Sequence, residues 1–465
     1  MQKIRQLIGT RQFYRTVLAV AAPIMIQNGL TNFVSLLDNI MVGQVGTDQM
    51  SGVAIANQLL FIFNLCIFGG LAGAGLFTAQ FHGSGNRQGV RDTFRFKLWI
   101  AAGICAVAFA VFLLFGEELI GLYLRGASDA GDPVQTAKYG LSYLRIMLIG
   151  LIPFAWTQIY ASTLRETGAT ILPMKASLVS VLTNFVLNYV LIFGAFGLKP
   201  LGVTGAAIAT ICARFAELAV LAFGAHRRPE QYPFLRSIYR HLRIPAELCR
   251  QIVVRGMPLL VNELLWSVGM SFLIQCYSQR ALSVVAALNI STTVYNFFNI
   301  VFQALGSAVA ILVGQQLGAG ETERARDTAR KLICFSVASC FLFGSLLACA
   351  APFIPRLYQT DAIVRSLATR FLLVSAICMP IQAFTHCCYF TLRSGGKTLI
   401  TFLFDSAFVW LIVVPFVCFL VYCTDLPIVP LYLLAQLTDL IKCVIGGIMV
   451  HRGIWIHKIV PAAAE

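Results

Sequence analysis

The chain has 465 residues, of which 58% are hydrophobic and only 12% are charged, a balance that a water-soluble protein of this size could not carry without aggregating. Its net charge of +15 does not indicate nucleic-acid binding, because the Lys and Arg residues lie in short segments between long apolar runs. The composition therefore predicts a membrane protein whose main partner is the lipid bilayer.

Apolar runs long enough to cross a bilayer recur from Val17 almost to the C-terminus. Gly, Pro and charged residues separate these runs, and the pattern predicts an all-α membrane protein with twelve transmembrane helices. In chain order, the predicted helices are 17–43, 51–81, 94–115, 137–164, 173–196, 202–225, 256–277, 286–317, 332–357, 366–392, 397–423 and 428–454. This order indicates an N-terminal six-helix lobe, 1–225, and a C-terminal six-helix lobe, 256–465, with a basic linker, 226–255, between them.

The basic residues predict how the chain is oriented in the membrane. Most of the 35 Lys and Arg residues lie in segments on the same side of the membrane as the N-terminus, and the linker is the most basic of these segments. Its arginines are Arg227, Arg228, Arg236, Arg240, Arg243, Arg250 and Arg255. Because loops rich in Lys and Arg stay in the cytoplasm, both termini are expected to be cytoplasmic in a multi-pass protein of a plasma membrane.

The two predicted lobes carry an internal repeat. Pro23 in the first predicted helix matches Pro258 in the seventh. Further on, without a gap, Gln80, Gly83, Gly85, Arg91, Asp92, Thr93 and Arg95 match Gln315, Gly318, Gly320, Arg326, Asp327, Thr328 and Arg330. Six helices separate equivalent residues, so both lobes have the same orientation in the membrane. Such a plan predicts a cleft between the lobes and favours a transporter over an enzyme or a scaffold.

Polar side chains follow one face of several predicted helices. A polar group in hydrocarbon needs a partner or water, so these stripes predict either helix contacts or a water-filled vestibule. The longest stripe lies on the predicted eighth helix and consists of Asn289, Thr292, Asn296, Asn299 and Gln303. Its length favours a water-filled vestibule. Trp266 adds an aromatic face that suits a cationic or aromatic compound. The residues expected to bind small organic substrates are Gln27, Thr31, Asn32, Asn57, Asn64, Trp266, Asn289, Asn296 and Gln303.

Acidic residues within the predicted helices are candidates for ion coupling. Asp38 is a lone carboxylate in the first helix, with no Lys or Arg within one turn, and it could exchange a proton or bind a small cation. Glu263 is the candidate of the C-terminal lobe, and Asp405 could be either functional or structural. Two i,i+3 pairs are predicted to neutralise each other, namely Arg214 with Glu217 and Asp439 with Lys442. The sequence predicts no cofactor and no metal site.

Four stretches resemble the multidrug and toxic compound extrusion (MATE) transporters over essentially the whole chain. They are Pro23 with Asp38 to Gly43 and Gly46; Ala79-Gln80 with Gly83 and Gly85; Leu164-Arg165 with Gly168; and Asn184 to Gly194 with Gly202 to Ala207. The resemblance implies a two-lobed secondary antiporter that expels organic, often cationic, compounds in exchange for H⁺ or Na⁺ by alternating access. It also implies a bacterial inner membrane, and we expect a monomer.

The resemblance places the coupling ion at specific residues. The family's Asp on helix 1 and Asn on helix 5 fall on Asp38 and Asn184, and Asn188 stands where some members carry a second carboxylate. Other members carry coupling acids on helices 7 and 10. Here helix 7 supplies Glu263, shifted toward Pro258 relative to some relatives, and the predicted tenth helix has no Asp or Glu, which argues against a two-carboxylate sodium site in that lobe. The choice between H⁺ and Na⁺ stays open.

Three other functions fit the sequence less well than antiport. A flippase for a lipid-linked saccharide shares the two-lobed plan, but Asp38 and Glu263 without adjoining basic residues argue against an anionic pyrophosphate substrate. An intramembrane enzyme would need a catalytic motif, and HExxH, GxSxG and P-loop spacings are absent from the sequence, so no enzyme is expected. A passive channel fits a closed vestibule less well.

Overall fold

The computed structural model of the protein describes residues 8–124, 132–197, 199–358 and 360–461. Within these ranges the chain forms helices and short 3-10 turns, and no β-strand. Eleven helices are long and apolar enough to cross a membrane, and a bent pair of shorter helices brings the count to twelve. The predicted all-α membrane fold with twelve spans is therefore confirmed.

The spans are numbered here in chain order. In the first half they are α1 (Arg11–Gly43), α2 (Thr47–Gly83), α3 (Arg87–Leu124), α4 (two segments, Pro133–Met147 and Leu151–Glu166), α5 (Ile171–Phe193) and α6 (Val203–His226). In the second half they are α7 (Ala246–Ser278), α8 (Leu282–Gly318), α9 (Thr322–Ala350), α10 (Ala362–Ser394), α11 (Thr398–Cys423) and α12 (Ile428–Arg452). The 3-10 turns are Ala195–Gly197, Pro233–Leu235 and Ile354–Leu357.

Two spans depart from a regular α-helix. The segments of α4 meet at an angle of 53°, next to Pro153, which has no N–H to donate to the preceding turn. In α11, the turns Leu403–Ala407 and Val409–Val413 are π-helical, and Pro415 follows them. Turns of π-helix are rare and often mark functional sites, and the first of these carries Asp405.

The described residues form two compact units. The N-terminal unit comprises Ile26–Thr78 and Arg87–Ile252, and its core includes the tightly packed pair α5 and α6. Gly205 allows this close packing, because a Cβ at that position would lie 2.7 Å from the backbone of Leu191. The C-terminal unit comprises α1 up to Met25, residues Ala79–Asn86 and the chain from Val253 onward. In that unit α8, α9 and α10 pack around fully buried Ala304, Leu305, Ala308, Leu332 and Cys388.

The linker lies along one face of α3 in the N-terminal unit. The Nε of Arg91 donates to the carbonyl of Phe234 at 3.2 Å, and the Nε of Arg95 donates to that of Ile238 at 3.1 Å. One turn later, the indole Nε1 of Trp99 donates to Leu242 at 3.2 Å. These donors share a helical face because they are four residues apart, so α3 holds the linker at three successive points.

Candidate ion and substrate site

A direct hydrogen bond joins the two residues that the sequence predicts to bind the coupling ion in the N-terminal unit. Asn188 on α5 donates from Nδ2 to the Asp38 carboxylate on α1 at 2.5 Å. Asn188 is only 1% exposed, whereas Asp38 is half-buried. Among the described residues, Asn188 is the one hydrogen-bond donor to this carboxylate, so no basic side chain neutralises its charge by direct contact.

The Asp38–Asn188 contact continues into a longer network. The same Nδ2 of Asn188 also lies 3.0 Å from Oδ1 of Asn184, whose own Nδ2 donates to the Thr210 hydroxyl on α6 at 3.3 Å. The buried Tyr143 on α4 lies next to Thr210 and next to Asn57 on α2. The hydrogen bonds therefore connect α1, α5 and α6 within one unit, and they join three predicted residues, Asp38, Asn184 and Asn188.

Three amide oxygens of predicted site residues in the N-terminal unit are buried without a partner. They are Oδ1 of Asn188, Oε1 of Gln27 and Oδ1 of Asn64, and no hydrogen-bond donor of the described residues reaches them. A buried carbonyl oxygen without a donor is costly, and water, a proton donor or a small cation can satisfy it. The unit therefore offers oxygen ligands beyond the carboxylate of Asp38.

A second polar chain connects α1 to α6. Gln27 donates from Nε2 to the Ser177 hydroxyl at 2.9 Å, and Ser177 donates to Oε1 of Glu217 at 2.7 Å. The predicted ion pair of Arg214 with Glu217 is wrong as a direct contact, because the described residues show no such pair within 4.0 Å. Arg214 instead donates to the carbonyl of Gly150 at 2.9 Å and stacks over the ring of Phe154.

Two further predicted residues of α1 follow Gln27. The Thr31 side chain is exposed, and its hydroxyl donates to the Gln27 carbonyl of the same helix at 3.0 Å. Asn32 is half-buried. The Thr31 hydroxyl is therefore already satisfied by its own helix, and its exposed position leaves it accessible to a substrate.

The predicted stripe of α8 is exposed on an otherwise buried helix. In the most apolar part of α8, 67% of the residues are buried, the highest share among the eleven single-helix spans of the described chain. Asn289, Thr292, Asn296 and Gln303 are nevertheless exposed, whereas Asn299 is buried and donates to Oδ1 of Asn296 at 3.3 Å. Polar side chains exposed along the most buried span are arranged as a vestibule lining would require.

Glu263 and Trp266 lie on α7 of the C-terminal unit. Glu263 is half-buried, and no described residue donates a hydrogen bond to its carboxylate. Trp266 is 38% exposed, so part of its indole ring is open to a ligand or to lipid. The buried neighbour of Glu263 is Asn262, which donates to the Asp405 carboxylate on α11 at 3.1 Å.

Sequence reasoning missed Thr210, Tyr143 and Asn262. Each is an uncharged residue that belongs to no polar stripe or repeat, so the sequence does not distinguish it from a packing residue. Their roles follow from which helices pack together, and the spacing along one helix does not contain that information. The predicted Asp439–Lys442 contact is present at 3.9 Å, but Lys442 lies closer to Asp405, at 3.1 Å.

Comparison with known proteins gives the family. The MatE family model matches residues 23–190 and, a second time, residues 258–419, which together cover more than half of the chain. The chain is 25% identical over 423 residues to the probable multidrug resistance protein YoeA of Bacillus subtilis (strain 168), covering 89% of this chain and 88% of that protein. It is 26% identical over 369 residues to the multidrug resistance protein MdtK of Edwardsiella ictaluri, covering 78% of each.

A solved structure has the same fold. A mutant of the Vibrio cholerae MATE transporter VcmN matches with a TM-score of 0.84 at 18% identity, covering 95% of this chain and 97% of that chain. The two segments matched by the family model also begin at Pro23 and Pro258, the first matched pair of the internal repeat. The chain therefore belongs to the MatE (MATE) family, whose members are multi-pass membrane transporters and not enzymes.

Proposed function

We propose that the chain is a multidrug efflux antiporter that exchanges small organic, often cationic, compounds for H⁺ or Na⁺ by alternating access. The observation that carries the proposal is the Asp38–Asn188 contact, in which a membrane carboxylate is held by one neutral amide at 2.5 Å. A carboxylate paired with Arg or Lys would already be neutralised. Asp38 instead keeps a charge that a proton or a cation can neutralise.

The Asn188 amide can accommodate both charge states of Asp38. An ionised carboxylate accepts the bond from Nδ2, as observed. A protonated carboxyl group can donate to an amide oxygen, and Oδ1 of Asn188 is buried and free of donors among the described residues. A Na⁺ ion would use the same carboxylate and amide oxygens as ligands. The contact therefore supports ion coupling without choosing between H⁺ and Na⁺.

The substrate would bind along the polar stripes that carry no strong charge. The exposed amides of α8 and the exposed side of Asn57 and Thr31 offer hydrogen-bond donors and acceptors, and Trp266 offers an aromatic face to a cation. Coupling follows if ion and substrate prefer different conformations or exclude each other. The names of the relatives, both multidrug resistance proteins, support small organic compounds as the cargo.

The proposal includes placement in the cell. We propose a monomer in a bacterial inner membrane, with both termini in the cytoplasm, and with segments 1–225 and 256–465 acting as the two moving lobes. The basic linker supports this orientation through its arginines. The repeat supports it as well, since six helices separate equivalent residues.

The test is transport of a fluorescent organic cation by the purified chain in proteoliposomes, under separately imposed pH and Na⁺ gradients. We expect one gradient to drive transport, and Asp38→Asn to abolish the coupled component. Asn188→Leu should lower transport at least about tenfold in the native background, because it removes the contact to Asp38. The same change in Asp38→Asn should have little further effect, since residues in direct contact act non-additively.

The control is Asp361→Asn, which removes an exposed carboxylate at the start of α10 and should transport normally. Normal coupled transport by Asp38→Asn would refute a role of Asp38 in coupling. Indifference of the native chain to both gradients would refute antiport. In that case, transfer of a fluorescent lipid-linked saccharide between leaflets would be measured, because the flippase is the alternative function.

A further inference from the structure

A lysine lies buried between two carboxylates in the C-terminal unit. The ammonium of Lys442 on α12 is 3.1 Å from Oδ1 of Asp405 on α11 and 3.9 Å from Oδ1 of Asp439. Lys442 is only 8% exposed. Among the described residues, it is the one basic side chain within 4.0 Å of either carboxylate. A lysine this deep in a membrane helix is rare unless its charge is compensated.

The surroundings of the ammonium resemble a site built for a cation. The rings of Phe404 and Phe408 lie 5.8 and 5.2 Å from Nζ, within the range of cation–π attraction. Asn262, itself 2% exposed, donates to the second oxygen of Asp405 at 3.1 Å and fixes this carboxylate. The ammonium is therefore held by two carboxylates and two aromatic rings.

The backbone holds Asn262 and Asp405 in place. The Oδ1 of Asn262 accepts from the Ser406 backbone N at 3.2 Å and from the Ser406 hydroxyl at 2.8 Å. Ser406 and Asp405 lie in the π-helical turn Leu403–Ala407. A π turn is uncommon and is retained mainly where it positions functional side chains. The π-helical turn therefore places both Asp405 and Ser406 within hydrogen-bonding distance of Asn262.

Other ionisable groups also face this cluster. Glu263 approaches from α7, and Arg393 and His386 approach from α10. None of the three makes an ion pair with Asp405 or Asp439 within 4.0 Å in the described chain. Loss of the Lys442 charge would therefore leave two half-buried carboxylates, 22% and 23% exposed, without a direct counter-ion, and two negative charges that point at one position attract a cation.

We infer that Asp405 and Asp439 form a monovalent-cation site in the C-terminal unit, and that the Lys442 ammonium fills it permanently as a tethered cation. Lys442 is then a specificity-determining residue, because it prevents an exchangeable Na⁺ from binding in this unit. With Lys442 in this site, ion coupling is confined to the N-terminal unit. This consequence rests on the proposed antiport. The cation site itself does not depend on that proposal.

The test is to remove the tethered cation and to supply a free one. Lys442→Ala is purified and its thermal unfolding is compared in NaCl and in choline chloride at equal ionic strength. We expect a melting temperature several degrees below that of the native chain in choline chloride and a recovery in NaCl, since a ligand that binds only the folded state stabilises it. Binding of radioactive Na⁺ should rise to one ion per chain above the level of the native protein.

Two further variants separate the site from general effects. The double variant Lys442→Ala, Asp405→Asn should lose the response to Na⁺. Lys331→Ala, which breaks a more exposed pair with Asp327 on α9, should show no response to Na⁺. If Lys442→Ala cannot be purified in either salt, Lys442→Gln is measured in the same way.

Equal melting temperatures in both salts, together with no added Na⁺ binding by the folded variant, would overturn the inference. A response to Na⁺ that persists in the double variant would overturn it as well. Because melting and ion binding are measured without transport, these results are independent of whether the native chain is an antiporter.

Discussion

Gly83 at the end of α2 and Gly318 at the end of α8 are equivalent residues of the repeat, and each packs against the helix that carries the other. A Cβ at Gly83 would overlap the backbone carbonyl of Gln315, and a Cβ at Gly318 would overlap that of Gln80. Gln80 and Gln315 are also equivalent residues, so the two helix ends make a reciprocal contact. Residues Ala79–Asn86 belong to the C-terminal unit, so this contact lies within one compact unit.

This contact predicts that a single methyl group at either glycine destabilises the protein. Gly318→Ala should lower the stability by about 1–3 kcal/mol, because backbone atoms on the opposite helix cannot rotate away. Thermal unfolding of the purified variant measures the effect. Gly103→Ala is the matched control, since a Cβ at this helical position in α3 meets nothing within 4 Å. Equal melting temperatures for the two variants would contradict the close packing.

The repeat could be recognised in the sequence, but this contact could not. Matching residues establish that Gly83 and Gly318 occupy similar positions, and they do not establish that the two positions touch. The number and order of the spans follow from apolar runs, and they agree with the structure. The start of α3 at Arg87 and the bend in α4 were not predicted, because the buried pair of Arg95 with Asp92 and the break before Pro153 depend on tertiary packing.

The candidate site was predicted in part, for a comparable reason. The one-turn spacing of Asn184 and Asn188 and the isolation of Asp38 are visible along single helices, and the structure brings these residues together. Thr210 completes the network from another helix, and hydroxyl groups occur on most spans without such a role. In α7 the sequence predicts a site at the acidic residue Glu263, whereas the adjacent Asn262 makes the buried contacts. The two differ because neighbouring residues point to different faces of a helix.

A buried ion pair in the N-terminal unit predicts a large change in stability. Lys97 on α3 is fully buried, and its ammonium lies 2.5 Å from Glu166 on α4. Lys97→Met should destabilise the fold by about 3–5 kcal/mol, because it removes a fully buried ammonium from a Glu166 side chain that is only 17% exposed. The double variant with Glu166→Gln should recover most of this loss, as thermal unfolding would report. Lys331→Met, at the more exposed pair with Asp327, should cost no more than about 1 kcal/mol.

The exposed stripe of α8 predicts a change in substrate affinity without a change in stability. Asn289→Ala and Gln303→Ala should raise the half-saturating concentration of an organic cation several-fold, since they remove exposed polar side chains of the stripe. The melting temperature should stay the same, because exposed substitutions rarely shift stability by more than about 0.5 kcal/mol. Ser345→Ala on α9 is the control, as Ser345 lies among exposed Phe341, Leu342 and Leu346. Identical kinetics for all three variants would place the stripe outside the substrate site.

The linker predicts a difference in proteolysis between two equivalent arginines. Arg95 is buried and donates to the carbonyl of Ile238, whereas its repeat partner Arg330 is exposed. Arg95→Ala should release the linker from α3 and raise the rate of trypsin cleavage at Arg240 and other linker arginines by roughly ten- to a hundredfold, because a hydrogen bond to a charged group contributes about 1.5–3 kcal/mol. The cleavage rate is followed by electrophoresis and the cut sites by mass spectrometry. Arg330→Ala should leave cleavage in the linker unchanged, and an equal increase in both variants would mean that the Arg95 contact does not hold the linker.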